Sequence, residues 1–171
     1  MDTPNIACFD VYYHEGSAKA SCIVFKIEPQ ETILSHYNKI ITPVSEYIPG
    51  EFYKRELPCL LGVYGEIKEK IDLAIVDGFV FLEKGKKGLG EYLYEALGER
   101  IPVMGVAKTF YKGCQNYLRV YRGNSNKPLF FSSIGVEQNY AADLIKTLAG
   151  ANRIPAVLKM VDRLSRSNVN F

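Results

Sequence analysis

Apolar positions come in two rhythms along this chain, one of period two and one of period three to four. Through residues 7–27, ACFDVYYHEGSAKASCIVFKI, two β-like runs flank a polar, glycine-containing hairpin at His14–Lys19. A third strand is predicted over residues 31–42, ETILSHYNKIIT, where apolar and polar residues partly alternate. The rhythm then changes. In LPCLLGVYGEIKEKI (57–71), Leu57, Leu60, Leu61, Tyr64, Ile67 and Ile71 recur at helical steps, which predicts an amphipathic helix with Pro58 near its start, where a missing N–H costs little.

DLAIVDGFVFL (72–82) is an apolar run interrupted by Asp-Gly, the pattern of a strand buried on both faces of a parallel sheet. A Gly- and Lys-rich loop, EKGKKGLG, leads to a helix over EYLYEALGER (91–100), and IPVMGVAK (101–108) supplies another buried strand. NYLRVYRGNSNKPLFFSSI (116–134) predicts a hairpin around Gly-Asn-Ser-Asn. Helices over QNYAADLIKTLAGA and PAVLKMVDRLSR follow. Three strands, a helix, then alternating strands and helices predict an α/β domain with a mixed sheet flanked by helices, an order that fits a ribonuclease-H-like architecture. With 171 residues, no repeats and no dividing linker, one domain over residues 1–171 is expected.

Composition changes this picture little. Cys8, Cys22, Cys59 and Cys114 form no C-x-x-C pair, so buried free thiols are expected rather than zinc ligands or disulfides. No apolar stretch is long enough for a membrane span, and a cytoplasmic monomer is expected. The net charge of +2 gives weak support for a polyanionic partner, so a nucleic-acid binder must cluster its cations on one face. Lys84, Lys86, Lys87, Lys112, Arg119, Arg122 and Arg153 are the candidates for that face.

Two carboxylates carry candidate chemistry. Asp10 lies inside the first strand between Phe9 and Val11, and Asp77 closes the run LAIVD. A carboxylate in an apolar strand is expensive to desolvate without a partner, and a divalent cation is one such partner. A ribonuclease-H-like sheet sets these two strands side by side. Glu56, near the start of its helix, is a candidate third ligand and Asp162 a candidate fourth. An all-oxygen set suits Mg²⁺, and such a site supports phosphodiester hydrolysis.

Taken in order, FDV (9–11), YIPGEFYKRE (47–56), LAIVDG (73–78), GVAK (105–108) and RIP (153–155) followed by Asp162 resemble the motifs of the endonuclease V family, nucleases that act on deaminated bases. The resemblance implies a metal-dependent endonuclease that cuts a phosphodiester bond near inosine in DNA or RNA. It implies that Asp10, Glu56, Asp77 and Asp162 hold the metal or orient water, and that Lys108 faces the scissile phosphate. It further implies that Tyr47 and the Pro49–Gly50 turn form a wedge that takes the place of an extruded base, with Gly78 letting backbone approach that base.

The chain departs from the family after Asp77-Gly78. A small residue and a His-Pro-Arg element are usual there, whereas this chain reads FVFLEKGKK. A tighter or reshaped base pocket around Phe79, Val80 and Phe81 is therefore expected, with Lys84, Lys86 and Lys87 in place of a lost phosphate contact. The family's Ser-Pro-Gly-His appears as Ser133-Ile134-Gly135-Val136, without the histidine, and the 109–131 stretch is shorter than usual. Two other readings stay open: a nuclease of the same fold with a different substrate, and a non-catalytic nucleic-acid-binding relative. Against the last stands the cost of keeping an anionic cluster that repels phosphate.

Overall fold

A computed structural model describes residues 3–167 of the chain. β1 (Ile6–His14), β2 (Ser17–Lys26) and β3 (Thr32–Ile41) form an antiparallel meander. Then come α1 (Phe52–Tyr64), β4 (Leu73–Asp77), α2 (Leu89–Ala96), β5 (Val103–Ala107), β6 (Leu118–Val120), β7 (Leu129–Ile134), α3 (Gln138–Thr147) and α4 (Ala156–Arg166). The seven strands make one sheet in the order β3-β2-β1-β4-β5-β7-β6. β4 runs parallel to both β1 and β5, and the other pairs are antiparallel. This is the mixed, helix-flanked, ribonuclease-H-like sheet that the pattern predicts.

The two-residue period sorts each central strand between two cores. Ile6 and Cys8 of β1, with Leu73 and Ile75 of β4, pack against α3 and α4. Ala7 and Phe9, with Ala74 and Val76, pack against α1 and α2. The register pairs Cys8 with Ile75. Two residues further on, Asp10 and Asp77 fall opposite one another on the α4 face.

Helix α1 differs from expectation at both ends. It begins at Phe52, and Pro58 lies in its interior. The initiating signal is the turn before it. Glu51 N–H donates to Ile48 O at 2.9 Å, with Pro49 second and Gly50 third at φ 81°, a left-handed value that this turn type reserves for glycine. Buried positions Glu56, Cys59, Leu60 and Val63 sit at helical steps, and their packing carries the helix through the bond that Pro58 cannot make. The helix ends at Tyr64, where Gly65 N–H closes onto Leu61 O at 3.1 Å and Glu66 N–H onto Val63 O at 3.0 Å. Ile67 and Ile71 therefore lie in the connection to β4, where Ile71 is still buried against the α1 core. Helix α2 likewise starts and stops earlier than its sequence pattern predicts.

Candidate active site

Asp10, in the middle of β1, and Asp77, at the end of β4, stand on two neighbouring parallel strands beneath α4. With Phe9, Val106, Lys108, Leu158 and Val161 they line a crevice of about 10 Å³, roughly the space of one water. Lys108, just past β5, places Nζ 3.7 Å from Asp77 Oδ2 at the rim, where both side chains are partly exposed. Asp10 lies deeper, and burial pushes its pKa up to about 6, with the charges of Asp162 and Asp77 adding to the shift. Asp77 is raised too, first by desolvation and then by Asp162, while Lys108 opposes the shift.

Helix α4 supplies two groups. Its buried stripe repeats every four residues as Val157, Val161 and Ser165. Ser165 is completely buried, and its Oγ lies 2.5 Å from Asp10 Oδ2 and 2.8 Å from the Asp162 carbonyl oxygen. The hydroxyl thus ties Asp10 to the helix that carries Asp162. Asp162 itself accepts from Arg166 Nε at 3.0 Å on the more open side of α4. The sequence reading passed over Ser165, and the four-residue repeat of buried positions is the signal that would have found it.

Glu56 arrives from the other side of the sheet. It occupies a position on α1's buried stripe and is 6% exposed. Its pKa is raised well above the usual carboxylate range by burial and then by the charges of Asp77 and Asp10. Tyr13 lies against it with a pKa raised by burial and by the Glu56 charge, and the Arg55 guanidinium sits 3.9 Å above the Tyr13 ring. The four candidate carboxylates therefore act on one another across the strand ends, three from the α4 face and one from the α1 face. Among the described residues, no group of three or more His, Cys, Asp or Glu side chains is placed so that it could hold a metal ion. What the structure offers is a pair, Asp10 and Asp77, on one face with all-oxygen chemistry. That fits Mg²⁺ or Mn²⁺, which bind through one or two carboxylates and complete their shells with water and phosphate oxygens.

Beside this crevice lies a pocket of about 240 Å³ whose lining includes Tyr47, Gly50, Asp77, Gly78, Phe79 and Tyr111. Tyr47 is 57% exposed and meets Phe52 edge-on at 6.4 Å. Gly78 has φ 138°, and a Cβ there would meet no protein atom within 4 Å. The backbone is thus bare toward open space, as close approach by a ligand requires. Phe79 turns partly away, into a cluster with Tyr111, Tyr117 and Phe130, so the reshaped loop does not fill the pocket. Lys86 Nζ would lie 3.4 Å from a Cβ on Gly50, which sets the lysine loop against the wedge turn. Lys84, Lys86 and Lys87 line an adjoining pocket of about 510 Å³.

Two expected surface cations are not surface cations. Arg122 is 6% exposed, and its guanidinium donates to the carbonyls of Leu148, Gly150 and Asn152. Arg153 donates to the carbonyls of Lys108 and Pro128. Both brace the backbone behind the site. Lys87 is engaged as well, 2.5 Å from Glu95. All four cysteines are free and buried, as expected, and among the described residues no helix is long and apolar enough to cross a membrane.

A ribonuclease-H-like mixed sheet with carboxylates on two adjacent central strands defines the class of fold. The endonuclease V family model matches residues 2–135, and the chain belongs to that family. Endonuclease V of Streptomyces avermitilis superposes with a TM-score of 0.84 at 21% identity, over 96% of this chain and 80% of that one. The catalytic domain of human endonuclease V gives 0.81 at 21% identity, over 98% and 82%. A Ciona intestinalis endonuclease V, in complex with a 24mer DNA containing an inosine followed by a ribo-adenosine, gives 0.79 at 19% identity, over 98% and 86%. Among curated proteins, UvrABC system protein C of Neisseria gonorrhoeae is 30% identical over 113 residues, which is 60% of this chain and 17% of that protein's length.

Proposed function

We propose that residues 1–171 form one catalytic unit, a divalent-metal-dependent endonuclease that hydrolyses a phosphodiester bond near a deaminated base. The observation that carries this reading is the adjacency of two features: the Asp10–Asp77 pair with Lys108, and the pocket bounded by Tyr47, Gly50 and Gly78. Asp77 lines both, so a base in the pocket brings its own backbone phosphate to the carboxylates.

When bound at Asp10 and Asp77, Mg²⁺ or Mn²⁺ supplies Lewis acidity toward phosphate oxygens and lowers the pKa of water. The chain's own groups do the rest. Ser165 fixes the Asp10 carboxylate. Lys108 Nζ presents a compact positive charge where the phosphate gains negative charge. Glu56, its pKa raised by burial and by Asp77 and Asp10, adds a carboxyl group from the α1 side, and Asp162 orients water from the α4 side. Tyr47 fills the gap that an extruded base leaves in the stack, and the base rests over bare Gly78 backbone. Inosine as that base draws support from family membership and from the inosine-containing DNA in the Ciona complex.

The test is cleavage of end-labelled strands, with and without one inosine, in Mg²⁺, Mn²⁺ or EDTA. A single cut near inosine that EDTA abolishes is expected. No cut under any condition would overturn the reading, and equal cutting of unmodified strands would move it to a nuclease of broader substrate. Tyr47→Ala should lower the preference for inosine about 5- to 150-fold, the worth of one base–aromatic stack.

A further inference from the structure

The sheet's outer edge at β6 carries chemistry that the proposed cleavage does not use. Residues 100–136 contain no aspartate or glutamate but six lysines and arginines, in a chain that overall carries 21 basic and 19 acidic residues. Within this stretch the YLRVY segment alternates. Leu118 and Val120 point into the α3–α4 core, and Tyr117, Arg119 and Tyr121 fall on the opposite side at the two-residue period. Arg119 pairs across the strands with Phe130, which shares that side. Phe110, Tyr117 and Phe130 meet one another at ring distances of 5.6–5.7 Å, and Arg119 lies 5.6 Å from the Tyr117 ring centre. Such an aromatic group belongs in a core, yet Phe110 is 45% exposed, and Tyr121, further along the same side of the segment, is 55% exposed. Through Phe79 and Tyr111 the cluster runs without a break into the wall of the 240 Å³ pocket.

We propose that this surface, Phe110 with Tyr117, Arg119 and Tyr121, is a stacking platform for an unpaired nucleic-acid strand leading away from the pocket. The inference rests on the nucleic-acid reading above but not on cleavage. Flat rings accept any base face, the guanidinium adds cation–π contact and phosphate attraction, and residues 100–136 themselves add no acid to repel phosphate. A duplex keeps its base faces covered by stacking and offers such rings little. The partner is therefore a single strand, and selectivity for it over duplex is the platform's signature.

Anisotropy titration of a labelled 12-residue oligodeoxythymidine and of a duplex of equal length, both in EDTA, tests this. EDTA keeps the measurement independent of the carboxylates, so a failed nuclease reading would leave it valid. Wild-type protein should bind the single strand at least about 5-fold more tightly than the duplex. Phe110→Ala and Phe110→Leu should each weaken single-strand binding about 5- to 10-fold with an unchanged salt slope. The leucine variant keeps apolar bulk, so its loss isolates the flat ring from folding. Arg119→Ala should also lower the salt slope by about one. Duplex binding as tight as single-strand binding, or unaltered binding in Phe110→Leu, would overturn the proposal even in a protein that cleaves inosine strands.

Discussion

Two charged regions of this molecule are taken out of water, and they are treated in opposite ways. Behind the sheet, the Arg122 guanidinium is surrounded by carbonyl oxygens from the α3–α4 connection, at 2.9 Å from Asn152 O and 3.2 Å from Gly150 O. Beneath α4, Asp10 has one donor, Ser165, and faces two further negative charges. Burial lowers the pKa of Arg122 and raises that of Asp10, each toward its neutral form. The arginine's cost is largely met by carbonyl partners the chain provides to its two terminal nitrogens, with Nε left unpaired. The carboxylates' cost is only partly met, by Ser165 and by Lys108 at 3.7 Å. A buried charge with its partners in place is a brace, whereas a cluster left short of positive charge is a place for a ligand.

The largest expected effect comes from neutralising the second region. If the proposed function holds, Asp10→Asn or Asp77→Asn should lower cleavage of an inosine strand by about 10³-fold or more, since the charge that would hold a cation is lost. Thermal melting of metal-free protein should not fall, because each change also removes repulsion. A melting point lowered in both variants would break the contrast. The reverse should hold behind the sheet. Arg122→Ala strands several buried carbonyls and should cost about 3 kcal/mol in denaturant unfolding, while the remaining folded protein still cleaves.

Smaller effects sharpen the comparison. Ser165→Ala frees the Asp10 carboxylate and should weaken Mn²⁺ binding about 10- to 100-fold, as loss of an outer-shell partner does elsewhere. Ser165→Thr, which keeps the hydroxyl, should recover much of it. The pH dependence is smaller still, and its sign is unusual. Asp10 has a folded pKa of about 6 against 3.8 for the free group, so its contribution favours the fold below pH 3.8 and is lost as pH rises through about 6. Metal-free wild type should therefore gain about 1 kcal/mol relative to Asp10→Asn between pH 7 and pH 5, measured by denaturant unfolding at each pH.

The parts of this arrangement that repeat at short range were legible in the sequence. Asp10 and Asp77 interrupt apolar strands at the two-residue period, and the alternation of strands and helices set those strands side by side. Helix α1 was misplaced because Pro58 resembles a first-turn proline, whereas the Pro49–Gly50 turn starts the helix at Phe52. That shift puts Glu56 on the buried stripe. Ser165 was missed because a serine in a polar helix end resembles a solvated one until Val157 and Val161 are counted in steps of four. Arg122 and Arg153 were taken for surface cations because their carbonyl partners lie 25–45 residues away and become neighbours only in the fold. Charge in a sequence shows where a cation is, but its partners are set by tertiary structure.

The central claim is that Asp10 and Asp77 form a cation site left short of charge by the rest of the chain. Calorimetric titration of metal-free protein with Mn²⁺ at pH 6, where Asp10 is about half protonated, in two buffers of different ionisation heat, tests it without any substrate. Saturable binding is predicted, with proton release that makes the heat buffer-dependent, because the raised carboxyl groups lose protons to the solution. Both the heat and the proton release should vanish in the Asp10→Asn, Asp77→Asn double variant. Binding of equal strength in that variant would contradict the account.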